Sequence, residues 1–314
     1  MKFGIHNPSF VFGPDPYEMF EGLKTKAQWA ENNGFAWFSV MDHLIQIPWI
    51  GPSDEPFMEG WTAITALAAV TSRIRLSTLV SSVAYRNPAL LAKIASNVDV
   101  ISRGRVTLGI GAGWFDTEYR QYGWEFPEKP ATRIRQMEEA VKLILTMWRE
   151  PRATFRGKYF QVEEAILEPK PVQKPHPPVM IAGGGETMTL RVVARYADMC
   201  NVAGSPEDVK RKFEILHQHC ETEGRDYTTI EKTNITGLLL ARDDAALAAK
   251  RTPLGIGDAF NGFAGTVSAA ADRIAAYRDA GVDMLITSIA KNDTETMELL
   301  ASEIVPKFDV ATPL

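Results

Sequence analysis

Only two cysteines, Cys200 and Cys220, occur in 314 residues, and their separation matches no metal-ligating pair. They cannot build a disulfide framework and read as plain thiols of a reducing cytoplasm. No apolar run approaches the roughly 20 residues needed to cross a bilayer. The start of the chain, Met1-Lys-Phe-Gly-Ile5, enters a strand pattern without the charged, apolar and cleavage regions of a secretory leader. Basic blocks are missing and the net charge is −5, so no nucleic-acid partner is expected. The five histidines form no local ligand motif, and no carboxylate cluster suits a metal.

What the chain does contain is a core-forming composition, 45% hydrophobic and 23% charged, suited to a globular domain. Strand-like runs are expected at 3–6, 36–41, 74–80, 106–110, 178–182, 198–202, 230–241 and 283–287. Helical patterns alternate with them, at about 16–33, 60–71, from Pro88, 131–148, up to Tyr196, 206–223, 267–280 and 294–308. Pro88 and Pro206 stand where a first helical residue is expected. A proline-rich insertion at 151–177 with a hairpin-like centre follows the fourth helix, and 243–262 reads as irregular. Eight strand–helix units in strict alternation, with no linker, predict one (β/α)8 barrel, a TIM barrel, over 1–314. A doubly wound sheet would need a glycine-rich turn after its first strand, and none is there.

In such a barrel the chemistry lies at the C-terminal ends of the strands. One stretch stands out there: the run 106–110 ends in Gly111-Ala-Gly113, followed by Trp114 and the acidic Asp116 and Glu118. Small residues directly after a strand allow close approach of backbone to ligand, although an ordinary tight turn has the same composition. Gly183, Gly184 and Gly185, read as the start of a helix, would offer free N–H groups to a phosphate. Asp42 and His43 end the second strand, joining a group that can bear charge to an imidazole, the side-chain type best suited to passing a proton. Phe10, Phe12, Trp49, Phe57, Trp61, Trp114 and Phe115 lie mainly on loops after strands and suggest an apolar substrate wall. No lysine ends a strand ready for Schiff-base chemistry.

Four ordered motifs carry a resemblance across nearly the whole chain. They are Met41-Asp-His43, the run 73–80 with Tyr85-Arg-Asn-Pro88, Leu108-Gly-Ile-Gly-Ala-Gly-Trp114, and Ala182-Gly-Gly-Gly185 with Ala194-Arg-Tyr-Ala-Asp198. Together they resemble the bacterial-luciferase-like monooxygenase superfamily, within it the oxidoreductases that depend on the deazaflavin coenzyme F420. The resemblance implies a barrel, often dimeric, with the coenzyme ring in its mouth. It places Asp42 and His43 near the ring's polar edge and matches Leu79–Val80 to a non-prolyl cis peptide behind the ring. Ala112 and Gly113 match residues along the coenzyme's side chain, and Ala182 with Gly183 to Gly185 match the phosphate loop.

Two departures bear on activity. Trp114 stands where sugar-phosphate dehydrogenases of the family carry a glutamate. Glu186-Thr-Met188 replaces the basic residues that usually follow the triple glycine, so flavin mononucleotide (FMN) competes as coenzyme. The expected function is therefore hydride transfer between F420 and a small, largely apolar molecule, with His43 handling a proton and Trp114 as substrate wall. The alternatives are an FMN monooxygenase fed by a partner reductase, and a non-catalytic flavin-binding barrel. A homodimer in the cytoplasm, without nucleic acid, membrane or metal, completes the expectation.

Overall fold

A computed structural model describes residues 1–251, 254, 260, 262–290 and 293–308. In chain order the strands are β1 (Lys2–Asn7), β2 (Trp37–Val40), β3 (Arg75–Thr78), β4 (Ser81–Ser82), β5 (Leu108–Gly111), β6 (Ala153–Arg156) and β7 (Gln161–Ala165). They continue with β8 (Val179–Ala182), β9 (Met199–Val202), β10 (Glu231–Ala241), β11 (Gly262–Thr266) and β12 (Met284–Ile289). The helices are α1 (Glu18–Asn32), α2 (Gly60–Val70), α3 (Pro88–Ser102), α4 (Asp116–Gln121), α5 (Pro130–Arg149) and α6 (Thr189–Tyr196). After them come α7 (Pro206–Glu223), α8 (Asp244–Arg251), α9 (Val267–Asp279), α10 (Thr294–Leu299) and α11 (Val305–Phe308), the last two joined by a π-helical turn.

The parallel strands run in the order β3-β2-β1-β12-β10-β9-β8-β5-β4. Closure comes between β3 and β5, where Leu76 N–H donates to Arg105 O and Thr107 N–H to Leu76 O, both at 2.9 Å. This is the expected (β/α)8 barrel, with two additions. The third strand is split into β3 and β4 around a cis Leu79–Val80 peptide. The segment expected to be irregular, 243–262, contains α8 and leads into β11, which pairs parallel with β10, while 252–253, 255–259 and 261 lie outside the described residues. The insertion is an antiparallel hairpin, β6–β7, held to α5 by Glu139, which accepts from the Lys158, Tyr159 and Phe160 N–H groups.

Strand alternation sorts the side chains. Phe3, Ile5, Phe38 and Val40 point outward into the core shared with the helices. Trp37, Met180, Met199, Met284 and Ile286 point inward and, with Leu79, plug the barrel below its mouth. Gly4 faces Trp37, and a Cβ there would stand 2.9 Å from the Trp37 Cβ, so glycine makes room for the indole. The next inward layer, His6, Ser39, Gly111, Ala182, Asn201, Ile235 and Ser288, stands at the C-terminal ends. Helix ends follow their sequence signals. Ser205 and Asp208 cap α7 reciprocally, Pro206 opens it, and Gly224 closes it at φ 65°.

Candidate active site

Two neighbouring cavities open at the mouth and share Ile235. The smaller, ≈ 410 Å³, is lined by Asp42, His43, Leu79, Val80, Ala112, Gly113, Trp114, Ala182 and Gly183 of the expected set. Ser82, Tyr85, Gly111, Arg133, Thr189 and Asn201 join them. The larger, ≈ 730 Å³, has an apolar wall of Met41, Ile47, Trp49, Ile50 and Phe263, with His6 at its floor and Arg273 and Tyr277 beyond. Among the described residues no His, Cys, Asp and Glu group could hold a metal, and no helix is long and apolar enough to cross a membrane.

His43 leaves β2 and turns its Nδ1 to Glu118 Oε2, 2.8 Å away. The same oxygen accepts the Tyr85 hydroxyl, while Glu118 Oε1 accepts the N–H groups of Leu44 and, at 3.1 Å, Ile45. Glu118 is wholly buried. Burial pushes its carboxyl up, but the hydrogen bond and charge of His43, the Tyr85 hydroxyl and the Leu44 N–H outweigh burial and leave it below the usual range. Burial and then the Glu118 carboxylate push the Tyr85 hydroxyl well above its ordinary value, so Tyr85 stays protonated. In the linear sequence Glu118 is only one residue of an acidic segment. On α4, Asp116 and Glu118 are two apart and point to different sides: Asp116 pairs with exposed Arg120, Glu118 turns inward.

Asp42 is less available than expected. Its buried carboxylate is gripped by Arg86 through two bonds of 2.6 and 2.8 Å, and Arg86 also binds Glu59, the N-cap of α2. His6, the other imidazole at the mouth, donates to or accepts from Ser39 Oγ at 3.0 Å. Burial first, then the charges of Lys26 and His43, push it down to about 3, so it stays neutral.

The glycine turn after β5 is required by geometry. Gly113 has φ 78°, and a Cβ there would lie 2.2 Å from Tyr119 Oη and 2.3 Å from Ser82 Oγ. Arg133 Nε donates to the Gly113 carbonyl at 3.1 Å and holds the turn. At Gly111 a Cβ would meet Val80 Cγ2 at 2.8 Å, so the residue after the cis peptide reaches the cavity only because position 111 lacks a side chain.

The triple glycine departs from its expected setting. Helix α6 starts at Thr189, four residues beyond Gly185, so the glycines form a turn ahead of the helix and are not its first turn. Gly183 lines the cavity, whereas Gly184 and Gly185 do not. Positive charge comes from elsewhere: Lys212 of α7 places Nζ 3.2 Å from the Gly184 carbonyl, and a Cβ on Gly184 would be 2.1 Å from that Nζ. Arg211 beside it is neutralised by Glu186 and Asp208.

Of the loop aromatics, Phe10 and Trp61 are core: Phe10 packs edge-on to Phe57, and Trp61 donates to Ser81 Oγ. Trp49 and Trp114 stay 64% and 48% exposed, stacked at 4.8 Å, one lining each cavity. Trp114 therefore stands between the two compartments.

Residues 1–254 match the model of the family described as luciferase-like monooxygenase. A Mycobacterium tuberculosis (H37Rv) protein is 31% identical over 213 residues, covering 64% of this chain and 74% of its own. The pyrimidine monooxygenase RutA of Stutzerimonas stutzeri is 30% identical over 224 residues, 69% of this chain and 60% of that protein. An F420-dependent secondary alcohol dehydrogenase superposes with a TM-score of 0.81 at 20% identity, covering 97% of this chain and 98% of that one, which is a likeness of fold.

Proposed function

The chain belongs to the luciferase-like monooxygenase family, and on that premise we propose that it is an oxidoreductase that uses F420 for hydride transfer to or from a small, largely apolar molecule. The observation that carries this reading is the smaller cavity. It brings a buried-carboxylate-bound His43, the cis Leu79–Val80 peptide and two side-chain-free glycine turns to one space at the barrel mouth. The donor set fits a flat coenzyme with a phosphate. Gly183 leaves room for it, Lys212 and Thr189 stand ready for an anion, and the Asp42 carboxylate that lines the cavity is neutralised by Arg86. When bound, the deazaflavin ring supplies the carbon that accepts or releases hydride. This chain's own residues do the rest. Gly183 and Lys212 would hold the phosphate, Val80 and Gly111 would border the ring, His43 would hold or move the matching proton, and the Trp49–Trp114 pair would exclude water from the boundary. The larger, mostly apolar cavity takes the substrate.

A second reading has its own support. Glu186 beside the phosphate turn and Asp208 of α7 both pair with Arg211, which disfavours an acidic tail and favours FMN. Likeness to a pyrimidine monooxygenase points the same way. Titration of the purified apoprotein with F420 and with FMN, followed by absorbance and fluorescence, decides between them. F420 binding at least as tight as FMN is expected. FMN binding more than about tenfold tighter sinks the deazaflavin reading, and binding of neither sinks both.

The same reading makes the protein a cytoplasmic homodimer. Leu90, Val100 and Ile101 of α3 and Ile166 and Val172 of the insertion are large, apolar and exposed. Ser96 of α3 holds the insertion through the Pro169 carbonyl. Light scattering behind a sizing column checks it, and a monomer refutes it.

A further inference from the structure

We propose that Glu118 is a positioning residue that fixes the protonation pattern of the His43 ring, with Nδ1–H turned to Glu118 and a bare Nε2 left for the cavity. The proposal rests on the reading of His43 as the group that handles the proton. An ionised carboxylate accepts hydrogen bonds and donates none. Each Glu118 oxygen already serves a different purpose: Oε1 receives the loop N–H groups of Leu44 and Ile45, and Oε2 receives Tyr85 and His43. The contact at 2.8 Å therefore needs a proton on Nδ1. The ring is also held in place: Trp114 and Phe115 meet it edge-on at centroid distances of 5.6 and 5.8 Å, which opposes a flip that would exchange the two nitrogens.

A purely structural clamp would not call for a charge. An amide at position 118 could accept the same two loop N–H groups, and burying a carboxylate is costly unless something pairs with it. Among the described residues no Lys or Arg pairs with Glu118, and its one ion-pair partner is His43. Its negative charge is thus compensated when Nε2 takes up a proton and the ring becomes imidazolium. Second-sphere carboxylates orient imidazoles in the same way at many proton-transfer sites. Tyr85 fills the remaining acceptor direction on Oε2, which keeps Glu118 from rotating away.

The test reads the tautomer directly. In 15N-labelled protein, long-range 15N–1H correlation of the imidazole signals, with His43 assigned by its loss in His43→Asn, gives the protonated nitrogen at a pH where the ring is neutral. The wild type should show Nδ1–H and a bare Nε2. Glu118→Gln keeps the oxygen that serves Leu44 and Ile45 but presents N–H groups to His43, so the proton should move to Nε2. Acylation of His43 by diethyl pyrocarbonate should then slow by roughly tenfold or more, the population change expected from losing one charge-assisted hydrogen bond. A wild-type ring carrying its proton on Nε2 overturns the proposal, even if Glu118→Gln does not fold. So does a folded Glu118→Gln that keeps the wild-type tautomer. Coenzyme titrations of the wild type test the functional reading separately, because the tautomer is measured without coenzyme.

Discussion

Gly184→Asp is the substitution for which the structure predicts most about coenzyme binding. A Cβ at this position would stand 2.1 Å from Lys212 Nζ, the far end of a flexible side chain that can move aside. The new carboxylate stays within ion-pair reach of that ammonium. Lys212 would then be occupied internally and lost to the coenzyme phosphate, with a like charge left beside the phosphate. One charge-assisted contact is worth roughly 1.5–3 kcal/mol, so affinity for either F420 or FMN should fall roughly 10- to 150-fold. Lys212→Met removes the same contact from the other side and should cost a similar factor. The two changes should not add, because they act on one contact. Fluorescence titration of each folded variant, with its thermal midpoint as a control, supplies the numbers. Affinity within twofold of wild type in Gly184→Asp would refute the argument and make the glycines an ordinary turn.

Three further outcomes are expected. His43→Asn should bind coenzyme within a few-fold of wild type but lose roughly two orders of magnitude or more in turnover, the range that acid–base assistance supplies; steady-state rates beside a coenzyme titration check it, and wild-type turnover would leave His43 structural. Trp49→Ala should raise the Michaelis constant by roughly 3- to 10-fold with coenzyme affinity unchanged, whereas Trp114→Ala should weaken both, since only Trp114 lines the coenzyme cavity; equal profiles for the two variants would contradict the two-compartment mouth. His6 is pushed down to about 3, so between there and 6.5 the unfolded chain binds a proton that the folded chain refuses, and stability falls as pH falls. From pH 6.5 to 5 that loss is about 2 kcal/mol, and His6→Gln should flatten the slope in urea unfolding measured across this range; an unchanged slope would show that His6 does not carry it.

The barrel was legible in the linear chain because period-two runs and period-3.6 runs alternate without a break, and each periodicity reports one buried face. Strand ends were legible for the same reason, which is why Asp42, His43, Ala112, Gly113, Trp114, Ala182 and Gly183 do meet in one cavity. The limits were local conformation and distance along the chain. The periodicity of the run 74–80 does not mark the break between β3 and β4, which only the family resemblance located, at the cis Leu79–Val80 peptide, and β11 was missed because Gly262–Thr266 looks like a loop until it pairs with β10. Glu118 lies 75 residues from His43 and Lys212 lies 28 from Gly184, so neither partner could be named from local pattern. Their roles were assigned by closure of the barrel. Closure brings α4 against the loop after β2 and α7 against the turn after β8, turning a surface-looking carboxylate inward and supplying the cation missing after the glycines.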